Sequence, residues 1–563
     1  MIETIKKGKF EYNLNIESHT AEIKKYVKGK RIEKLTIPSS LLYKDTAYKV
    51  TSIGERAFEC CDSFTEITIP ESVTDIGDFA FLDCSSLTTI NIPEGVTRIE
   101  DYAFSRCSSL TTITIPKSVT NIGYGIFREC RSLTAITISE GVTSIEDSAF
   151  SGCSSLTSIT IPEGVTSIGR EAFSNCSRLT SITIPEGVTS IGREAFSNCS
   201  SLTTITIPES VTCIRHGAFS YCSSLTTITI PENVTCIETH VFTDCYNLTE
   251  ISVDGRNPAY DSRRNCNAII ETNSNYLIAG CATTIIPDGI TTIYPSAFKG
   301  SKKLTAINIP NTVKSIFSNA FSGCSSLTTI TIPESVTSIG VSAFSHCSSL
   351  TSINIPKNVK GILGATFYNC SRLASIDLPD TLLCIDGGAF SGCSSLTTIN
   401  IPESVTSIGN DAFNSCSSLT AITIPEGVTS IEDYAFSHCN SLTTINIPKG
   451  VTSIGREAFS HCNSLTAITI SEGVTSIEDD AFSHCSSLTT IVLLGRTYIN
   501  DCAFDWCEQL TDVYCYSEEN PSVSYSSFGN HDLPGVTLHV PELAIKSYKK
   551  YSPWKKFGTI VAI

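Results

Sequence analysis

Apolar residues recur along this chain in a fixed order of spacings. Leu87, Ile90 and Ile92 spell L-x-x-I-x-I, Val96 and Ile99 spell V-x-x-I, and Ala103, Phe104 and Cys107 spell A-F-x-x-C. The same order returns every 23 residues, with Cys61, Cys84, Cys107, Cys130, Cys153, Cys176, Cys199, Cys222 and Cys245 in unbroken register. A second run holds Cys324, Cys347, Cys370, Cys393, Cys416, Cys439, Cys462 and Cys485, and Cys507 follows one residue early. A Phe precedes each Cys by three positions, from Phe58 to Phe242 and from Phe298, where Ser301 stands in the Cys place, to Phe504, marking 19 units.

Each part of the unit predicts an element. Alternating Ile90 and Ile92 put two β-branched side chains on one face of a short strand and turn Asn91 to the other. Pro93 has no N–H for a ladder and ends that strand, and Gly95 suits the turn that follows. Val96 and Ile99 read as a second short extended segment, and Ala103-Phe104 with Cys107 as one helical or 3₁₀ turn. One such coil buries too little to fold alone, whereas stacked coils share a continuous core of Leu, Ile, Val, Phe and Cys. The expected fold class is therefore a β-rich, α+β solenoid of 23-residue coils.

The period divides the chain. Residues 1–50 alternate apolar and polar positions in KFEYNLNI, AEIKKYV and EKLTIPSSLLY and read as an N-terminal β cap. A first array spans 51–250 and a second 291–510. Between them Phe242 and Phe298 are 56 residues apart, so 251–290 is an insertion, with 268–278 reading as a β-hairpin turning at 273–275. Residues 511–563 read as a C-terminal cap with a short helix near 542–551, sealed by Trp554 and Phe557. Caps are needed because an open solenoid end exposes core and strand edges.

The pattern L-x-x-I-x-I-P-x-x-V-x-x-I-x-x-x-A-F-x-x-C resembles the leucine-rich repeats of the BspA-like (Treponema pallidum type) class over most of 51–510. The insertion NPAYDSRRNCNAIIETNSNYLIAGCATTIIPDGI and the ending LHVPELAIKSYKKYSPWKKFGTIVAI resemble segments of such proteins from Bacteroidetes. The resemblance implies a leucine-rich repeat array in a surface or secreted protein that binds other proteins, including host matrix components such as fibronectin and fibrinogen. The amino terminus, MIETIKKGKFEYNL, holds no apolar signal stretch, which points to the cytoplasm if Met1 is the true start and to the surface if the chain is a mature form. No run is long enough to span a membrane.

Composition narrows the function. The net charge is −17, from 39 basic and 56 acidic residues, which argues against nucleic acid as a partner. Charge is uneven, because residues 1–50 hold 11 basic and 6 acidic side chains and an acidic body separates two basic ends. Charged residues are only 17% of the chain and apolar ones 41%, so a large core is covered mostly by Ser, Thr and Asn.

Candidate chemistry is sparse. The chain has 26 Cys, most of them at one corner of the unit, where a Cys serves first as a small hydrophobe. Cys60, Cys213, Cys236, Cys266, Cys281, Cys384, Cys502 and Cys515 fall outside that corner and form no C-x₂-C pair, so zinc spacing is absent. His346, His438, His461 and His484 share one repeat position and read as an outward stripe. Glu follows the strand-ending Pro at Glu71, Glu94, Glu163, Glu186, Glu209, Glu232, Glu334, Glu403 and Glu426, an edge that must be solvated to relieve repulsion. No G-x-S-x-G, H-E-x-x-H or P-loop pattern occurs, and the reading is of a non-enzyme without metal or other cofactor.

Partner contacts fall into two groups. The outward strand column includes Asn91, Thr114, Asn354, Asp377, Asn400 and Asn446 and offers a nearly uncharged hydroxyl and amide surface, although Thr is also simply a good strand residue. The insertion offers Arg256, Tyr260, Arg263, Arg264 and Tyr276, side-chain types enriched at interface hot spots, and is expected to carry specificity. The expected function is a monomeric binding or adhesion module for a protein, such as a host matrix protein, or a glycan. The alternative is an intracellular structural scaffold.

Overall fold

The computed structural model describes residues 1–27, 32–519, 521–529 and 533–563. The parts of the expected caps at 28–31, 520 and 530–532 lie outside the described residues. The chain divides into two units, Met1–Asn273 with Ile278–Thr283, and Ser274–Leu277 with Thr284–Ile563. Both are β-solenoids, winding about 22 turns in all.

Most coils contribute two short parallel strands. In the first unit Glu66–Thr68 pairs with Thr89–Asn91, setting Ile67 against Ile90 and Thr68 against Asn91. Asp75–Ile76 likewise pairs with Arg98–Ile99. In the second unit Ala306–Asn308 pairs with Thr329–Thr331, and Ser315–Ile316 with Ser338–Ile339. Equivalent residues thus stack on equivalent residues, so a rule obeyed by one coil becomes a column.

The core is built from those columns. Leu87, Ile90, Ile92, Val96, Ile99, Ala103, Phe104 and Cys107 are all buried. The repeat Phe rings lie nearly parallel, as in Phe104 on Phe127 at 5.7 Å and Phe413 on Phe436 at 5.4 Å between centroids, an offset-stacked geometry that aromatic pairs favour.

The third side of the coil differs from the expected helical turn. Two residues per coil take a left-handed backbone, for example Tyr102 (φ 54°) and Arg106 (φ 59°) around Phe104. With these left-handed residues the turn is not a helix, and every second N–H leaves the coil. Tyr102, Phe104 and Arg106 donate to Tyr124, Ile126 and Arg128 of the next coil at 2.7, 3.0 and 2.7 Å, while Ser105 and Cys107 donate back to Tyr102 and Phe104. A helix would spend those donors within one coil. The alternation gives the third side its own ladder and closes the stack with its buried N–H groups satisfied.

The ends continue these ladders. Ile2–Lys7, Phe10–Asn15 and Thr20–Tyr26 form an antiparallel sheet, and Thr20–Tyr26 then pairs in parallel with Thr46–Ile53, which pairs with Asp75–Ile76. At the other end Thr490–Leu493, Asp512–Cys515, Thr537–Val540 and Thr559–Ala562 pair in parallel in that order. Phe528 extends the ring column beyond Phe504 at 5.6 Å, and Trp554 and Phe557 close over it, 1% and 5% exposed. The only α-helix among the described residues is Ile545–Tyr548, preceded by the 3₁₀ turn Glu542–Ala544. In the insertion Tyr260–Asp261 pairs antiparallel with Ala268–Glu271, and Ala268–Glu271 and Tyr276–Gly280 flank a turn at 272–275.

Candidate functional site

The outward strand face is built by the same alternation that buries Ile. Asn91 and Thr114 are exposed on either side of buried neighbours, and Thr112 and Thr114 stand opposite Ala135 and Thr137 of the next coil. In the second unit Asn354 stands opposite Asp377 and Asn446 opposite Thr423, and Asn354, Asp377, Asn400 and Asn446 are all exposed. Parallel strands set such neighbours about 4.8 Å apart. The face therefore repeats a short polar side chain at strand spacing in both directions along it.

The two Thr residues of the L-T-T motif do different work. Thr88, Thr111 and Thr134 turn their hydroxyls back to the carbonyls of Thr65, Thr88 and Thr111 at 3.0, 3.3 and 3.2 Å. These hydroxyls tie coil to coil. The second Thr of each pair, such as Thr89 or Thr112, points to solvent. Asn354 is also partly structural, because its amide donates to the Ile332 carbonyl at 2.7 Å and accepts the Ile332 N–H at 2.9 Å.

The insertion residues differ in exposure and in partners. Arg256 is exposed and bridges Glu232 at 2.8 Å and Asp254 at 3.0 Å. Arg264 is exposed in a left-handed turn (φ 59°). Arg263 is half-buried and held by Asp261 at 2.6 Å. Tyr276 is half-buried and stacks on Tyr294 at 6.2 Å. Tyr260 corrects the expectation of a surface contact: it is 5% exposed, and its hydroxyl accepts the Ile237 N–H at 2.9 Å. That N–H would otherwise be an orphan donor in the core, so the tyrosine is a structural plug rather than a contact.

The cysteine corner is a ladder of thiols. Cys84, Cys107 and Cys130 donate to the carbonyls of Phe58, Phe81 and Phe104 at 3.1, 3.2 and 3.1 Å. Burial pushes the Cys107 and Cys130 thiols up, and Cys176 to about 12, so these are neutral and poor nucleophiles. Among the described residues the cysteines form no disulfide.

The histidine column has a backbone origin that the sequence reading missed. His346, His438, His461 and His484 all occupy the left-handed position two residues after Phe. Other coils hold Asn175, Asn198, Gly323 and Gly392 there, the types that adopt this backbone at least cost, alongside Asp83, Arg106, Glu129 and Tyr221. That composition was the available signal. His438, His461 and His484 stack face to face at 4.4 Å, and Trp506, 49% exposed, continues the stack on His484 at 5.7 Å. Stacked faces do not aim their nitrogens at one ion. Among the described residues, the one convergent set of metal-ligand atoms is Cys213, Cys236 and Glu238. The Glu edge is solvated as expected, with Glu94, Glu163 and Glu426 exposed.

A solenoid of 23-residue coils with an L-x-x-I-x-I strand and a Phe and Cys corner defines a leucine-rich repeat array. The BspA type leucine rich repeat region matches residues 28–157, 143–263, 269–397, 385–511 and 429–549, and the chain belongs to that family. It is 31% identical to a leucine rich cell surface protein from Faecalibacterium prausnitzii, over 79% of this chain and 94% of that one, with a TM-score of 0.41. It is 25% identical to a leucine-rich repeat protein from Bacteroides ovatus, over 96% and 100% of the two chains, with a TM-score of 0.37. Identity to the T. pallidum leucine rich repeat protein is 30%, over 36% of this chain and 91% of that one, with a TM-score of 0.32. No curated protein matches the chain. Among the described residues, no helix is long and apolar enough to cross a membrane.

Proposed function

We propose that this chain is a non-enzymatic adhesion module of the cell surface that binds an extended protein or glycan partner along its outward strand face. The observation that carries the reading is the exposure of the polar column from Asn91 to Thr229 in one unit and from Asn308 to Thr469, with Asp377, Asn400 and Asn446, in the other. Short hydroxyl and amide groups at strand spacing supply many weak hydrogen bonds and little charge, which suits a long partner more than a compact ligand. Similarity to a bacterial leucine rich cell surface protein supports the location. Arg256 and Arg264 add exposed cationic contacts at the insertion. Host matrix proteins are the first partner class to test.

The test is a binding screen of the purified chain against matrix proteins and glycans. Any hit is then repeated with Thr114→Arg and Asn400→Arg, which leave the core untouched. Loss of binding in these variants supports the face, and unchanged binding removes it.

A further inference from the structure

Two cysteines outside the buried corner stand side by side on the second strand of neighbouring coils. Cys213–Ile214 and Cys236–Ile237 pair in parallel with Cys213 opposite Cys236, and the two sulfurs are 2.7 Å apart. Both are part-exposed, unlike the core thiols. In the preceding coils the same column holds Ser144, Ser167 and Ser190, so the fold requires no thiol here.

A carboxylate completes the group. Glu238 lies two residues beyond Cys236 and places an oxygen within 4.8 Å of both sulfurs. Arg215, its equivalent one coil earlier, donates to Glu238 Oε1 at 2.9 Å, and the His216 N–H donates to Oε2 at 2.8 Å. Each carboxylate oxygen keeps a further lone pair, so these two donors orient the group without consuming it. This is how outer partners fix ligands at protein metal sites.

We infer that Cys213, Cys236 and Glu238 bind one thiophilic divalent cation of the zinc class between two adjacent coils. Two thiolates and one carboxylate, with Arg215 beside them, sum to a charge of −2, which a divalent cation neutralises. Tetrahedral zinc with bonds of about 2.3 Å to sulfur sets two sulfurs about 3.8 Å apart. The sulfurs, 2.7 Å apart in the metal-free chain, must part to reach that separation. A disulfide between the same two sulfurs is the competing state, since 2.7 Å is shorter than the separation at one zinc ion, and the ion is taken up by the reduced pair. Water takes the fourth position, as at zinc sites with three protein ligands. The ion ties two neighbouring coils where Tyr260 of the insertion seals the Ile237 N–H.

The experiment is calorimetric titration of the reduced, metal-free full chain with Zn²⁺, with Cd²⁺ and its thiolate absorption band as a second probe. One equivalent is expected to bind. Cys213→Ser and Cys236→Ser should each weaken binding by more than the roughly 10- to 100-fold that loss of an outer partner costs, and Glu238→Gln should weaken it as well. Serine occupies this position in neighbouring coils, so these variants keep the fold, and unfolding curves check that they do. Cys384→Ser, at a part-exposed thiol outside the cluster, should leave the titration unchanged. Failure of the reduced chain to bind either ion overturns the site, as does binding that survives both Cys213→Ser and Cys236→Ser. A Cys213–Cys236 disulfide found by mass spectrometry, together with no ion uptake after reduction, does the same.

Discussion

His438 and His461 lie face to face, 4.4 Å between ring centroids and 7° between planes, and His484 repeats the contact on the far side of His461. Burial, with these two neighbouring imidazoles, lowers the proton affinity of His461 below its ordinary value, against a smaller pull upward from Glu457. Asp480 and Asp505 also lie in this region, and crowding by Glu457 and Asp479 adds to burial in raising Asp480.

This stack predicts acid sensitivity in the second unit. Below about pH 6.5 the unfolded chain binds a proton at His461 that the folded chain refuses, so stability falls as pH falls through that window. Unfolding temperatures measured from about pH 7.5 to about pH 5 should drop less for His461→Asn than for the parent. Asn suits the left-handed backbone, as Asn175 and Asn198 show at equivalent positions. Equal acid losses in the two proteins would remove the stack from the explanation.

The phenylalanine column predicts a large but local cost. Phe436 is fully buried and stacked between Phe413 and Phe459 at 5.4 Å on each side, so Phe436→Ala should cost about 3 to 5 kcal/mol. Contacts in a solenoid are between nearest neighbours. Hydrogen exchange should therefore accelerate in the coils around Phe413 and Phe459 and stay unchanged in Met1–Asn273.

The thiol ladder predicts a contrast between two titrations. Denatured, unreduced chain should present nearly all of its 26 Cys to a thiol reagent. Folded chain should react at exposed Cys60 and at part-exposed Cys213, Cys236, Cys384 and Cys502, and slowly elsewhere. A count near zero in denaturant would show disulfides throughout the ladder.

How legible the molecule was depends on how narrowly each position constrains its residue. The Leu, Ile, Phe and Cys positions admit one shape, so the 23-residue period and the buried faces were plain in the sequence. The left-handed turns around Phe104 were not, because the first of them accepts residues as different as Tyr102, Glu171 and Asp411. The second carries a usable bias toward Asn, Gly and His, which reads as a surface stripe until the backbone is seen. Tyr260 was misplaced because residue type says that an aromatic with a hydroxyl favours interfaces, whereas the unpaired Ile237 N–H drew it inward. Cys213 and Cys236 escape any search for short cysteine spacing, since only the coil period makes them neighbours. The exposed Asn and Thr columns followed from strand alternation, and their partner did not, because a repeated polar face carries little that is distinctive.

The most direct measurement is surface binding of the chain to an identified matrix protein or glycan, compared across three proteins at equal folded concentration. Thr114→Arg with Asn400→Arg alters the outward strand face, and Arg106→Glu with Asn369→Asp alters the left-handed turns on the third side of the coil. Binding by the parent and by the turn variant, with loss in the strand-face variant, is the expected outcome. Binding that persists in the strand-face variant and fails in the turn variant would place the partner on the turns and contradict the proposed function.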